Sequence, residues 1–130
     1  MNQITIKEIE NYLDEVLELI RKDKYRIDTN NRRQHNIDLY TNYVIDERLS
    51  KEILLSLQPD DFSGIVSNEH SGYEYEKLYI FGKTVSLIER FGDNEKQVSL
   101  YIKFNKLDNG FVIVISFHEE DYPLYFPFRK

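Results

Sequence analysis

Tyr101 and Lys103 stand two apart in one aromatic and β-branched segment, and Ser116 and His118 stand two apart in the next. An imidazole titrates near neutrality and moves protons, an ammonium holds developing negative charge, and phenol and hydroxyl groups donate and accept hydrogen bonds. Such a set suits acid–base chemistry on an anionic substrate. The spacing matters because side chains alternate along a strand. Residues 97–107 and 111–120 have the composition of strands and are joined through Asp108-Asn109-Gly110, in which Asn-Gly is a strong hairpin signal. With Asn109 and Gly110 as a two-residue turn, Tyr101 faces His118 and Lys103 faces Ser116. On that register Val98, Leu100, Ile102 and Phe104 share an apolar face with Phe111, Ile113, Ile115 and Phe117. The other face holds Ser99, Tyr101, Lys103 and Asn105 with Val112, Val114, Ser116 and His118. A turn with an odd number of residues breaks the argument. The same alternation also describes an ordinary solvated sheet face.

An apolar sheet face needs a layer to cover it, and the preceding residues read as helices. Thr5 and Glu8 form a capping box, followed by Ile6, Ile9, Leu13, Val16, Leu17 and Ile20 at helical spacing, with Arg21 and Lys22 at the end. Residues 24–36 are polar and basic, a connection or short extended piece. Ile37, Tyr40 and Val44 suggest a short helix. A clearer one follows Asp46 with Leu49, Ile53, Leu54 and Leu57, and Pro59 ends it. Residues 63–76 read as a loop, and 78–85 as a strand kinked or bulged at Gly82, or as two short strands. The two prolines of Tyr122-Pro123-Leu124-Tyr125-Phe126-Pro127-Phe128 limit that end to an edge strand or an extended tail. The order predicts an α+β fold, with N-terminal helices packed on one face of a C-terminal, mainly antiparallel twisted β-sheet. Residues 1–130 form one domain, with 1–62 helical and 77–130 the sheet.

At 130 residues the chain supports one core, and the absence of cysteine excludes disulfides and thiolate metal sites. With no apolar signal core and no spanning segment, the expected location is the cytosol, with no membrane partner. A net charge of −6 and a pI of about 5.1 exclude a general nucleic-acid coat, but not an enzyme that touches a few phosphates. The basic residues are uneven: Arg21, Lys22, Lys24, Arg26, Arg32 and Arg33 fall in one stretch. That stretch is a guide for RNA, a solvated connection or a docking surface for an acidic partner. The sequence has no Gly-rich phosphate loop, nucleophile elbow or Cys–His pair, and His118-Glu119-Glu120-Asp121 alternates faces too strictly for a shared metal site.

The hairpin segments Leu100-Tyr101-Ile102-Lys103 and Val114-Ile115-Ser116-Phe117-His118 resemble the C-terminal signature of MqsR-type toxins of type II toxin–antitoxin systems. These belong to the RelE-like endoribonuclease superfamily. The resemblance extends to Ile53-Leu54-Leu55-Ser56-Leu57 with Asp60-Asp61-Phe62, to Tyr79-Ile80-Phe81-Gly82-Lys83, and to Tyr125-Phe126-Pro127-Phe128-Arg129, covering residues 53–130. The acidic charge departs from the superfamily, as does His118, where better-known members carry lysine. The resemblance implies a RelE-like fold and an mRNA interferase, active on free or ribosome-bound mRNA and held by a cognate antitoxin. The implied reaction uses no metal or other cofactor: the ribose 2′-hydroxyl attacks its own phosphate. In that reaction His118 is the general acid or base, Lys103 stabilises the phosphate, and Tyr101 orients or donates. Lys83, Arg129, Ser116 and His70 are the further RNA and phosphate contacts, His70 from a loop able to swing over the site. Net charge, small size and the ten tyrosines also fit a non-enzymatic acidic binding protein, such as an antitoxin, an immunity protein or a phage-encoded inhibitor.

Overall fold

In the computed structural model, which describes residues 3–30, 33–92 and 94–130, Thr5 opens the first helix with both halves of its capping box. Its hydroxyl accepts from the Glu8 amide at 3.2 Å, and the Glu8 carboxylate accepts from the Thr5 amide at 3.3 Å. Helix α1 (Ile6–Arg21) buries Ile9, Tyr12, Leu13, Val16, Leu17 and Ile20, whereas Ile6 at the start of the expected stripe is exposed. Asp23 adopts a left-handed φ of 60°, so that the Asp23 amide donates to Ile20 O and the Lys24 amide to Leu19 O. This Schellman closure turns the chain directly into β1 (Tyr25–Ile27). Helix α2 (Gln34–Asn42) follows, then α3 (Glu47–Leu55), whose N-cap Asp46 accepts from the Leu49 amide at 2.8 Å. Pro59–Asp61 is a single 3₁₀ turn.

The strands β2 (Phe62–Ser67), β3 (Lys77–Ile88), β4 (Glu95–Leu107) and β5 (Phe111–Glu119) complete a five-stranded sheet in the order β1-β5-β4-β3-β2. All neighbours are antiparallel except β1, which runs parallel to β5. The fold is therefore α+β with a mainly antiparallel sheet. Its two parts interleave more than the sequence predicts, because β1 lies within the helical half and β2 occupies the start of the expected loop 63–76. Helical side chains from α1, α2 and α3 pack with Phe81, Val98, Leu100, Ile102, Phe104 and Phe117 in one core, leaving the other sheet face open. Among the described residues no helix is long and apolar enough to cross a membrane.

The β4–β5 hairpin corrects the expected faces. Its loop holds three residues, with Leu107 opposite Phe111 and Gly110 at φ 79°, a conformation glycine adopts without strain. The odd loop turns Val112 and Val114, both fully buried, toward the helices, and places Phe111 and Ile113 on the opposite face. Between Phe104↔Val114 and Lys103↔Ser116 the register then shifts by one residue, a bulge at Ile115. Beyond the bulge Lys103 faces Ser116 and Tyr101 faces His118, the pairing expected from a two-residue turn.

Gly82 is not a kink. Strand β3 runs unbroken past it, paired to Tyr101 of β4. A Cβ at this position would lie 2.8 Å from both Leu124 Cδ1 and Phe126 Cζ. The glycine therefore seats the C-terminal tail, which crosses the open face as an extended strap. The Ser63 hydroxyl donates to Tyr125 O at 2.7 Å, and the Phe128 ring stacks on Phe62 with centroids 5.9 Å apart. Gly82→Val is expected to cost about 1–3 kcal/mol through overpacking. The sheet stays paired while amide exchange accelerates across residues 124–128, which hydrogen-exchange mass spectrometry would detect.

Candidate functional site

The uncovered face of the sheet forms the floor of a cavity of about 890 Å³. Its β4 wall carries Tyr101, Lys103 and Asn105, each two residues from the next on one pleat. Arg26 enters from β1, where it pairs with Ile113, and Arg33 enters from the residues leading into α2. The β2–β3 connection supplies the opposite wall, including His70, whose ring lies 5.5 Å from that of Tyr73. Ile113 and Ile115, the residues exchanged to this face by the loop and bulge, make the floor apolar.

Lys103 is half-buried on this floor. Burial lowers the pKa of its ammonium, the positive charge of Arg33 lowers it further, and Glu69 opposes both. Among the described residues no carboxylate makes an ion pair with it. A cation held in that way is stabilised by an incoming anion. Arg33 itself reaches Asp28 at 3.5 Å. Of the basic stretch noted in the sequence, Arg26 and Arg33 thus join the cavity, Arg21 and Lys22 pair with Glu18, and Arg32 lies outside the described residues.

Tyr101 stacks on His118 with ring centroids 5.3 Å apart and planes 14° apart. Burial raises the Tyr101 hydroxyl pKa, with a further push from Tyr122, so the phenol remains a proton-bearing donor at neutral pH. His118 Nδ1 lies 2.8 Å from the Glu119 carbonyl oxygen. A carbonyl only accepts, so Nδ1 carries the proton in the neutral ring and Nε2 keeps its lone pair for substrate. Ser116 is opposite Lys103 as expected, but it is buried and does not line the cavity.

Lys83 and Arg129 are placed elsewhere. Lys83 pairs with the core residue Leu100, so its side chain leaves the sheet on the helix side. There its ammonium lies 3.2 Å from Asp61 Oδ2, and Arg129 Nη2 lies 2.9 Å from Asp61 Oδ1. Asp61 is 4% exposed and also accepts from the Gln58 amide at 2.8 Å. The two cations balance a buried carboxylate and pin the end of the strap, which accounts for them without a phosphate.

Two residues missed in the sequence complete the site. Asn36, in the first turn of α2, is 1% exposed. Its amide nitrogen donates to Asp28 O at 2.7 Å and Ile115 O at 2.9 Å, and its oxygen accepts from the Phe117 amide at 2.9 Å. Beyond the end of β1 this one side chain takes the place of a further strand along β5. Its neighbour His35 then stands 5.3 Å, ring centre to ring centre, from His118. Their only sequence signal is an asparagine and a histidine in a polar run, with no periodicity to single them out. Comparison with protein-family models, with curated proteins and with solved structures gives no match for this chain.

Proposed function

We propose that this protein is the toxin of a type II toxin–antitoxin system, a metal-independent endoribonuclease of RelE-like, MqsR-type character that cleaves mRNA by 2′-hydroxyl attack. The observation that carries the reading is the half-buried Lys103, without a carboxylate partner among the described residues, beside the stacked Tyr101–His118 pair on an open sheet face. Lys103 offsets the extra charge of the pentacoordinate phosphate, His118 Nε2 takes the 2′-hydroxyl proton, and Tyr101 donates to a phosphate oxygen or stacks on an unpaired base. Arg26 and Arg33 offer further phosphate contacts at a cavity whose lining also holds Asp28, Glu69 and Glu76. A cognate antitoxin would cover this face.

The test is cleavage of mRNA by the purified protein, free and on ribosomes, with and without chelator. The expected products carry 2′,3′-cyclic phosphate and 5′-hydroxyl ends, in equal yield with chelator present. The second reading is a non-enzymatic acidic binding protein. It is favoured by the outer surface of α1, where Asp14, Glu15 and Glu18 border a shallow pocket. Intact RNA in every arm, together with harmless expression in cells, would establish that reading over the first.

A further inference from the structure

Two imidazoles, His35 and His118, stand together in a pocket next to the Lys103 cavity, while His70 lines the cavity itself. His35 is exposed at the start of α2, and its ring plane makes 43° with that of His118 at 5.3 Å between centres. Asn36 ties the segment carrying His35 to the backbone on either side of Ser116, so both rings project from chain segments locked to each other. Both line a pocket of about 230 Å³. The titratable groups around it are Asp38 of α2, Tyr43, Glu119 at the end of β5, and Glu120 and Asp121 just beyond it, with Tyr101 of β4 stacked on His118. Glu119 already accepts from the Tyr43 hydroxyl at 3.1 Å.

Cleavage of an RNA phosphodiester needs two proton transfers, one from the nucleophile and one to the leaving group. We infer that His35 is the second acid–base group of this site, the general acid that protonates the departing 5′-oxygen while His118 acts as general base. The inference rests on the ribonuclease reading above. In the step, His118 Nε2 takes the 2′-hydroxyl proton and the 2′-oxygen forms a bond to phosphorus. The bond from phosphorus to the 5′-oxygen breaks with its electron pair on oxygen, and that oxygen takes the proton of His35. The products are a 2′,3′-cyclic phosphate and a 5′-hydroxyl, with His118 protonated and His35 neutral until exchange with water resets both. Tyr101 is a weaker candidate for this acid, because burial holds its proton more tightly.

The leaving group provides the test, since a thiolate departs without protonation. With the cleavage position mapped using the wild-type protein, the same RNA is prepared with a 5′-bridging sulfur at that position. His35→Ala is expected to slow cleavage of the ordinary RNA by about 10²–10³-fold, yet to cleave the sulfur substrate within about tenfold of wild type. His118→Ala is expected to remain slow on both. Equal loss on the two substrates, or no loss on either, overturns the role of His35, with His35→Gln and its thermal midpoint as the control for folding. A wild-type protein that leaves the ordinary RNA intact at the mapping step overturns the ribonuclease reading itself.

Discussion

Alanine in place of His118 is expected to lower RNA cleavage by about 10²–10⁴-fold while leaving the fold within about 1 kcal/mol of wild type. The stability change is small because the ring sits on an open face, packed on one side by Tyr101 and approached at an angle by His35. Lys103→Met separates function from structure more sharply. Cleavage should fall by about 10²–10³-fold, the scale of one lost charge-stabilising donor. The thermal midpoint should nevertheless equal or exceed that of wild type. The cation is disfavoured by burial and by Arg33, and methionine keeps an unbranched apolar stem in the cavity that Ile113 and Ile115 also line, without the charge. Inorganic phosphate should raise the midpoint of the wild-type protein and not that of Lys103→Met. A strand lysine that only solvates the sheet gives the opposite pattern, with unchanged cleavage and no phosphate effect. Full activity in both variants would remove these residues from the site.

The sequence made legible what is decided locally. The Thr5–Glu8 box and the stripe from Ile9 to Ile20 need only a few neighbouring residues, and α1 forms where they place it. What depends on distant partners was hidden. Strand β1 has three residues and exists because β5 offers it an edge. The residues of β5 from Phe111 to Ile115 are apolar on both faces, so their pattern does not say which side meets the helices. A three-residue loop and a bulge, each adding one residue, therefore reversed the faces of Val112 and Ile113 while preserving the Tyr101–His118 pairing. Two unseen features cancelled at the residues that matter. Lys83 and Arg129 show the converse: a cation is visible in the sequence, but the buried Asp61 that holds both is a tertiary fact.

Asn36→Leu is expected to be the most destabilising of these substitutions, and the reason lies in hydrogen bonds rather than in packing volume. Leucine matches the side chain in size but leaves the Phe117 amide and the Ile115 carbonyl unpaired at a buried strand edge. Each stranded group costs about 1–3 kcal/mol, so the loss is on the order of 3 kcal/mol. For a chain of this length that is a fall of about 10 °C in melting temperature. The Phe117 amide reports the mechanism directly: its hydrogen exchange should quicken in Asn36→Leu. Melting like wild type, with Phe117 still protected, would show that β5 keeps its edge by other means. The consequence for chemistry follows from chain connectivity, because Asn36 is adjacent to His35 and Phe117 is adjacent to His118. Loosening one side chain frees both imidazoles, so cleavage should drop in Asn36→Leu even at temperatures where the variant remains folded.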